Sequence, residues 1–177
     1  GHVFHGGWLK VSNKWYYMDT ETGMMKKGWL KTSGKYYYLN SSGVMQTGWQ
    51  KLKGVWYYLG GSSDGAMKTG WQKINGAYYF YNSKGRMICG SFKYKGYYYY
   101  CTANGKRFTG WMKRSGNKYY YNRKNGAMFR NRWATGDKYT YYFDNSGIAI
   151  ASKWLTQNGK KYYFLSNSTM AKGWQKI

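Results

Sequence analysis

The sequence predicts an all-β fold, an elongated solenoid of stacked β-hairpins built from tandem repeats of about 20 residues. Three observations predict it: a tryptophan that recurs at nearly constant spacing, a block of aromatic residues after a polar turn, and a composition rich in strand-forming residues. Trp, Tyr and Phe make up 23% of the 177 residues. A protein of long helices would need Ala, Leu and Glu in their place.

The recurring tryptophan sets the period of the repeat. Successive positions are 20 to 22 residues apart, and most follow a glycine. The positions are Trp8, Trp29, Trp49, Trp71, Ser91, Trp111, Trp133, Trp154 and Trp174. A unit of this size cannot bury enough apolar surface alone, so the units must stack. We therefore expect residues 1–177 to form a single repeat array that was cut from a larger protein.

Within each repeat, two strand-forming segments flank a short turn that contains glycine. Ser33 and Gly34, before the aromatic block at 35–39, are one example. This order is typical of a β-hairpin. A second polar turn follows, as at 40–43. One position, four residues before each following tryptophan position, is apolar in all repeats but one. The residues there are Met25, Met45, Met67, Met87, Arg107, Phe129, Ile150 and Met170.

The sequence offers little for catalysis. Its acids are Asp19, Glu21, Asp64, Asp137 and Asp144, and its histidines are His2 and His5 at the terminus. Acid–base or nucleophilic catalysis needs titratable groups within hydrogen-bond reach of each other, and a zinc site needs three or four ligands. We therefore expect no enzyme activity, no cofactor and no metal. No run of apolar residues is long enough to span a membrane.

The repeats resemble a known family. The stretch from Gly48 to Trp71, which reads GWQKLKGVWYYLGGSSDGAMKTGW, is similar to the choline-binding repeats of Gram-positive surface proteins and phage lysins. The resemblance covers nearly the whole chain and is strongest from Trp8 to Gly90. The glucan-binding repeats of glucansucrases and the receptor-binding repeats of clostridial toxins are similar too, and the stretch 141–149 leans toward them. The resemblance implies a solenoid of hairpins on the outside of a bacterium, appended to a catalytic or adhesive domain.

In this family, choline lies in aromatic cages between consecutive hairpins. The resemblance implies that each cage takes the tryptophan of the repeat, the first aromatic residue of the following block and one aromatic residue of the next hairpin. The implied cages are Trp8, Trp15 and Tyr38; Trp29, Tyr36 and Tyr58; Trp49, Trp56 and Phe80; and Trp71, Tyr78 and Tyr100. Trp111 and Tyr119 are a further candidate pair. Ser91 removes a cage wall and Thr140 stands where an aromatic residue is needed, so we expect the working cages before residue 90.

Aromatic rings suit choline because a quaternary ammonium ion donates no hydrogen bond. Each ring face contributes about 0.5–2 kcal/mol, and several cages along a choline-bearing polymer act together. The alternative is that the rings form a core. Strand side chains alternate between faces, so we expect the middle aromatic residue of each block, like the methionines, to pack rather than contact ligand. These middle residues are Tyr16, Tyr37, Tyr57 and Tyr79.

The net charge of +24 has two interpretations. A lysine lies two residues after the tryptophan position at Lys10, Lys31, Lys51, Lys73, Lys93, Lys113 and Lys176. This ladder is either a solubilising surface or a surface that attracts a polyanion. Teichoic acid would offer phosphates to the lysines and choline to the cages. Nucleic acid is the general alternative for a basic, aromatic chain, but no nucleic-acid motif is present and we do not expect it.

Cys89 and Cys101 flank the repeat that lacks the tryptophan. If that hairpin turns near Lys95 and Gly96, the two cysteines lie nearly opposite each other, and a disulfide fits an extracellular setting. Two buried thiols are the alternative. No ligand cluster for zinc lies near them.

The leading prediction is a secreted, non-catalytic module on the bacterial cell surface that binds the choline residues of teichoic acid. The first alternative is a carbohydrate-binding module for an α-glucan or another glycan, in which the same rings stack on sugar faces. The second is an adhesin-like or toxin-like array that binds a host glycan or protein.

Overall fold

The computed structural model describes residues 6–173, and all regular secondary structure in this range is β-strand. Sixteen strands form eight two-stranded antiparallel hairpins. Hairpins 1 to 4 are β1 (Gly7–Val11) with β2 (Lys14–Met18), β3 (Gly28–Thr32) with β4 (Lys35–Leu39), β5 (Gly48–Leu52) with β6 (Val55–Leu59), and β7 (Gly70–Ile74) with β8 (Ala77–Tyr81). Hairpins 5 to 8 are β9 (Gly90–Tyr94) with β10 (Tyr97–Cys101), β11 (Gly110–Arg114) with β12 (Asn117–Tyr121), β13 (Arg132–Thr135) with β14 (Thr140–Phe143), and β15 (Lys153–Gln157) with β16 (Lys160–Phe164). The predicted all-β hairpin repeat is confirmed.

The hairpins fall into two compact units. The first ends at Ile88 and contains hairpins 1 to 4, and the second begins at Cys89 and contains hairpins 5 to 8. A single array over 1–177 stays a prediction. His2, His5, Trp174 and Lys176 lie outside the described residues. Within 6–173, no helix is long and apolar enough to cross a membrane.

Two-residue turns close most of the hairpins. In hairpin 2 the turn residues Ser33 and Gly34 have φ of 48° and 73°. Positive φ at both central residues is the type I′ geometry whose twist matches that of paired strands. Hairpin 7 differs, since its loop is longer and the Gly136 N–H donates to the Tyr139 carbonyl at 2.9 Å.

Strand register decides which side chains share a face. In hairpin 2, Trp29 lies opposite Tyr38 and Lys31 lies opposite Tyr36, while Leu30 lies opposite Tyr37. Because side chains alternate along a strand, the first two pairs project from one face and the third pair from the other.

The linker between two hairpins forms a hydrogen bond with the hairpin that precedes them both. After hairpin 2, the Asn40 Oδ1 accepts hydrogen bonds from the N–H groups of Ser42 and Val44 at 3.0 and 2.9 Å, which shapes a compact turn. The Met45 N–H then donates to the carbonyl of Trp15 in hairpin 1, at 2.8 Å. Within each unit, the linker that follows the second, third or fourth hairpin therefore closes against the hairpin that comes one earlier in the sequence.

The methionines pack against glycines of the next linker. An added Cβ at Gly65 would lie 2.5 Å from the Met45 Sδ, and one at Gly85 would lie 2.3 Å from the Met67 Sδ. The side chains of Met45 and Met67 therefore pack against backbone that must lack a Cβ.

The sequence register of this packing position needs correction in the second unit. The bridging residues there are Met128 and Ala149, not the expected Phe129 and Ile150. One extra residue separates each from the following tryptophan, and the positive φ moves from the glycine to Asn131, at 46°. An asparagine tolerates this conformation better than most residues.

The core of each unit lies at the ends of the second strands. The largest fully buried side chains are Leu39, Leu59, Tyr81, Cys101, Phe143 and Phe164. Each of these residues forms the bridge to the linker that follows it, so the core fixes the linker beside the aromatic rings described next.

Candidate functional site

Three aromatic clusters in the first unit share one plan. Each takes the tryptophan and the first block residue of one hairpin, the middle block residue of the next hairpin, and the methionine of the linker that follows. Cage 1 is Trp8, Trp15, Tyr37 and Met45; cage 2 is Trp29, Tyr36, Tyr57 and Met67; cage 3 is Trp49, Trp56, Tyr79 and Met87.

Cage 1 combines three rings around an open cavity. The Trp8 ring centroid lies 6.4 Å from that of Trp15 with the planes at 87°, and 4.8 Å from that of Tyr37 with the planes at 70°. Met45 also faces the cavity, whose volume is about 200 Å³, and Asp64 lies at its edge. The cavity thus has ring faces on several sides and one carboxylate nearby.

Cage 2 repeats this arrangement with different charges at its edge. Trp29 packs against Tyr57 at 5.0 Å and 62°, and Trp29 and Tyr36 are each 42% exposed. The cavity is about 290 Å³, and Lys84 and Arg86 line it in addition to the rings and Met67. Rings this large and this exposed are available to a ligand.

Cage 3 contains two tryptophans at right angles. Trp49 and Trp56 have ring centroids 6.0 Å apart at 90°, and Tyr79 packs on Trp49 at 4.8 Å. Trp56 is 39% exposed. Its carbonyl accepts the Met87 N–H at 2.9 Å, which holds the methionine linker beside the rings.

The third ring of each cage is not the one expected from the sequence. Tyr38 packs on Trp29 of its own hairpin at 5.3 Å, Tyr58 on Trp49 at 5.4 Å, and Phe80 on Trp71 at 5.1 Å. The rings that reach the preceding hairpin are Tyr37, Tyr57 and Tyr79.

Strand alternation is the physical reason for this correction. The middle residue points away from its own hairpin's tryptophan, and in a stack that direction leads to the tryptophan of the preceding hairpin. The sequence contained the signal for this packing, because the alternation of side chains along each strand follows from the order of the aromatic residues in the block. Tyr37, Tyr57 and Tyr79 pack on the tryptophan of the preceding hairpin, and Tyr37 and Tyr57 also line the cavities of cages 1 and 2. That these residues pack rather than contact a ligand stays a prediction from the sequence.

The fourth implied cage, Trp71, Tyr78 and Tyr100, combines residues of both units and stays a prediction. Within the first unit, the Lys73 Nζ lies 5.8 Å from the Tyr78 ring centroid. Within the second unit, Tyr100 packs against Phe108 at 6.0 Å.

In hairpin 5, an arginine of the protein lies over the ring of the first block position, Tyr98. The tryptophan position of this hairpin is Ser91, which lies opposite Tyr100. The Arg130 guanidinium lies 4.1 Å from the Tyr98 ring centroid, and its Nε donates to the Asn145 carbonyl at 2.7 Å. A cation of the protein itself thus occupies a ring face that corresponds to a cage wall in the first unit.

Hairpin 6 replaces one cage ring with a lysine. Trp111 packs against Tyr141 of hairpin 7 at 4.8 Å, as in the cages. The first block position is Lys118, opposite Lys113, whereas Tyr119 lies opposite Met112 on the other face. The expected pairing of Trp111 with Tyr119 is therefore corrected: Tyr119 does not share a face with Trp111.

Hairpin 7 packs its partly buried tryptophan against a core cluster. Thr140 takes the first block position, opposite Thr135. The Trp133 Nε1 donates to the Gln157 Oε1 at 2.7 Å, and its ring packs on Tyr162 at 4.8 Å. Complete clusters of three rings and a methionine are thus found in the first unit, where the sequence predicted the working cages.

The lysine ladder lies over the rings of the first block position. The Nζ of Lys10, Lys31, Lys51, Lys73 and Lys93 lies 5.4–5.8 Å from the ring centroid of Trp15, Tyr36, Trp56, Tyr78 and Tyr98, respectively. A cation–π attraction of this kind is worth about 0.5–1 kcal/mol at an exposed site. The lysines of the ladder therefore lie against the rings of the first block position as well as forming a basic surface.

Asp64 lies at the edge of the cavity of cage 1. A hydrogen bond from the neighbouring Lys68 ammonium is the main cause that lowers the pKa of Asp64 below its ordinary value. The group is thus ionised at neutral pH and contributes a negative charge beside cage 1. Among residues 6–173, no three His, Cys, Asp or Glu side chains lie close enough to hold a metal.

Cys89 and Cys101 are both thiols in the structure. Cys101 is buried and lies opposite Gly90, whereas Cys89 precedes the strand and is exposed. The Cys89 Sγ donates to the Ala103 carbonyl at 3.3 Å. Of the two alternatives from the sequence, the structure has the thiols, although only one of them is buried.

Sequence comparison identifies the family of these repeats. The profile of the choline-binding repeat matches residues 26–69, 68–104 and 94–133, which together make up more than half of the chain. The chain belongs to the choline-binding repeat family. A profile of cell wall binding repeats matches residues 6–21, 131–149 and 152–167. Membership of this family indicates a protein that is associated with the cell surface.

Solved structures of pneumococcal proteins are similar to this chain. Choline binding protein F from Streptococcus pneumoniae is 32% identical, with 94% of this chain and 57% of that chain covered, at a TM-score of 0.83. CbpJ from the same species is 32% identical, with 93% and 57% covered, at 0.84. The choline-binding domain of CbpL is 30% identical, with 93% and 86% covered, at 0.68.

The chain spans little more than half the length of the first two proteins. A search of curated proteins found no match.

Proposed function

We propose that this chain is a non-catalytic cell-wall-binding module that holds the choline residues of teichoic acids in cages 1 to 3. The observation that carries the proposal is the repeated cluster of three rings and a methionine, which in cages 1 and 2 lines an open cavity. Family membership supports choline as the ligand, and we place the protein outside the cell, on the bacterial surface.

The chemistry of the cages matches a quaternary ammonium ion. Choline carries a diffuse positive charge with no N–H to donate, so it gains from ring faces rather than from hydrogen-bond acceptors. Three rings at about 0.5–2 kcal/mol each, with apolar contact from the methionine, correspond to a dissociation constant of about 1 mM once the cost of association is included. The cavities of cages 1 and 2, about 200 and 290 Å³, are large enough for one such group.

A polymer that carries many choline groups turns weak sites into a strong attachment. Once one cage is occupied, the others meet choline at a high effective concentration. A similar protein, choline binding protein F from Streptococcus pneumoniae, has been solved in the presence of a peptidoglycan analogue, which supports a partner in the cell wall for this chain too.

An equilibrium titration with choline chloride tests the proposal. Tryptophan fluorescence is followed at constant ionic strength, with dextran titrated in parallel. We expect saturable quenching by choline at millimolar concentration and none by dextran. Absence of any response up to about 100 mM choline, far above the range that the ring energies give, contradicts the proposal.

A matched pair of variants locates the binding. Trp29→Ala removes a wall of cage 2 and should lower the number of choline sites by one. Trp154→Ala is the control, because Trp154 is 55% exposed and packs on Tyr163 of its own hairpin. It should leave choline binding unchanged.

The same titration addresses the second candidate function, a glycan-binding module. The exposed rings of Trp111 and Trp154 favour it, because flat exposed rings also suit sugar faces. A response to dextran without one to choline would assign the module to an α-glucan.

A further inference from the structure

One cavity of the second unit keeps the ring pair of the cages but has Lys118 at the first block position and Ala149 at the methionine position of the linker. The Trp111 pocket is lined by Trp111, Met112, Lys113, Lys118 and Tyr141, with a volume of about 340 Å³. Trp111 and Tyr141 repeat the ring pair of the cages, at 4.8 Å. The position that holds an aromatic ring in cages 1 to 3 holds Lys118 instead.

The two lysines of this pocket face each other across the hairpin. Lys113 and Lys118 are direct register partners, and like charges placed directly opposite destabilise a strand pair. The ion pairs of residues 6–173 are Lys26 with Asp19 and Lys68 with Asp64, so neither pocket lysine is paired with a carboxylate.

The position of Lys118 is fixed by the fold. Its Nζ donates to the Asn167 carbonyl at 2.8 Å, which orients the ammonium group and leaves two further N–H donors. Lys113 and Lys118 both line the pocket, and an anion with several oxygen atoms can accept hydrogen bonds from two ammonium groups. The same two charges repel choline.

The rings supply the second half of the recognition. Trp111 is 44% exposed, and its plane meets that of Tyr141 at 60°. A pocket with apolar ring walls and a few convergent charged groups is the usual design of a small-molecule site. The flat C–H face of a sugar ring fits against an exposed indole in such a corner.

We propose that the Trp111 pocket binds a sugar that carries an acidic group, either a phosphate or a carboxylate. The sugar face lies on Trp111 and Tyr141, and the acid lies between Lys113 and Lys118. Hairpin 6 thus carries a site for an anionic sugar, whereas the corresponding cavities of the first unit suit a cation. It does not depend on cages 1 to 3 binding choline.

Calorimetric titrations of the full chain test this site, at constant ionic strength and with 50 mM choline chloride present throughout to occupy the cages. The probes are glucose 6-phosphate and glucuronate as acidic sugars, with glucose and inorganic phosphate as the separate halves. We expect at least one acidic sugar to bind about tenfold more tightly than either half, because one charge-assisted contact is worth about that factor. Which acidic sugar binds identifies the acid group.

Three variants give the test its specificity. Lys113→Gln and Lys118→Gln should each weaken binding of the acidic sugar about tenfold, and Trp111→Ala should do the same. Lys161→Gln is the matched control, because Lys161 has the same place in hairpin 8 but lies opposite Thr156; it should leave binding unchanged. Circular dichroism of every variant verifies that the hairpins remain folded.

Several outcomes would overturn the proposal. Acidic sugars that bind no better than glucose would remove the role of the lysines, and inorganic phosphate that binds as well as glucose 6-phosphate would remove the role of the rings. Equal losses for Lys161→Gln and Lys118→Gln would show a general charge effect. The choline titration is read separately, so its failure leaves this result intact.

Discussion

A single position in the second strand of each hairpin sets the chemistry of the neighbouring cavity. Where this position is aromatic, as at Trp15, Tyr36 and Trp56, it completes a cluster suited to a cation. Where it is Lys118, the cavity gains a positive charge, and where it is Thr140 the ring is lost. Each of these positions lies opposite the residue that comes two after the tryptophan of its hairpin, which is Lys10, Lys31, Lys51, Lys113 or Thr135.

The residues at the edges of cages 1 and 2 predict different affinities for choline. Asp64 and Lys84 occupy equivalent places, each directly before the linker glycine. A nearby charge of either sign changes the free energy of cation binding by about 1 kcal/mol in water, which is about a fivefold change in affinity. We therefore expect Asp64→Asn to weaken cage 1 and Lys84→Asn to strengthen cage 2, each measured from the indole signals of that cage during a choline titration.

The pH dependence gives this prediction a second readout. Because the Lys68 ammonium lowers the pKa of Asp64, the carboxylate stays charged as the pH falls to its ordinary value of about 4. The choline affinity of cage 1 should be constant from pH 8 to pH 5 and should fall only on stronger acidification. A decline between pH 7 and pH 5 in the unmodified protein would contradict the assignment.

Replacing tyrosine by phenylalanine should have opposite effects on stability at two buried positions, Tyr81 and Tyr142. The Tyr81 hydroxyl is buried and has no hydrogen-bond partner among the described residues, whereas the Tyr142 hydroxyl donates to the Asn131 Oδ1 at 2.6 Å. An unsatisfied buried polar group costs about 1–3 kcal/mol, and a satisfied bond contributes about 1 kcal/mol. Tyr81→Phe should raise the free energy of unfolding and Tyr142→Phe should lower it, as measured by urea denaturation; a loss of stability for Tyr81→Phe would contradict the account.

At the scale of the element, adjacent residues of one strand serve different hairpins. Tyr37 packs on Trp8 of the preceding hairpin, while Tyr38 packs on Trp29 of its own. The period of the repeat and the turn residues were enough to predict the hairpins, because both depend on local sequence. The partner of each ring depends on which face of a hairpin meets its neighbour, and this long-range packing could not be read from the spacing of tryptophans.

The same limit applies to the linkers of the second unit. The fixed four-residue spacing placed Phe129 and Ile150 at the bridging position, but the residues there are Met128 and Ala149. An extra residue is accommodated by a positive φ at Asn131 and Ser152, at 46° and 50°. A shift of one residue exchanges the faces of a strand, so a small change in linker length alters which side chains surround the rings.

The exchange of faces predicts a difference between two neighbouring substitutions. Tyr37→Leu removes one ring from cage 1 and should weaken that site about twofold to thirtyfold, the equivalent of about 0.5–2 kcal/mol. Tyr38→Leu should leave cage 1 unchanged. The measurement is the choline concentration that half-saturates the shift of the Trp8 indole signal, and equal effects of the two variants would contradict the observed register.

At the scale of the whole molecule, the net charge has opposite effects on the binding of free choline and of a polymer that carries both choline and phosphate. With a net charge of +24 and a lysine over the ring of each hairpin from 1 to 5, the protein repels a lone cation and attracts a chain of phosphates. Salt screens both interactions, because the screening length falls from about 10 Å at 0.1 M to about 3 Å at 1 M.

The two ligands should therefore respond to salt in opposite directions. Raising sodium chloride from 0.05 to 0.5 M should tighten binding of free choline slightly and should weaken binding of teichoic acid markedly. Calorimetry with choline and sedimentation with purified teichoic acid measure the two trends. A polymer affinity that does not change with salt would contradict a contribution from the lysines.

The most direct test of the central claim is a titration of the protein with choline, followed through the indole N–H signals in two-dimensional ¹H–¹⁵N NMR spectra. If cages 1 to 3 hold choline, the signals of Trp8, Trp15, Trp29, Trp49 and Trp56 shift and saturate at millimolar concentration, while those of Trp133 and Trp154 stay in place. Shifts confined to Trp133 and Trp154, or no shift of any cage tryptophan up to about 100 mM choline, would contradict the account.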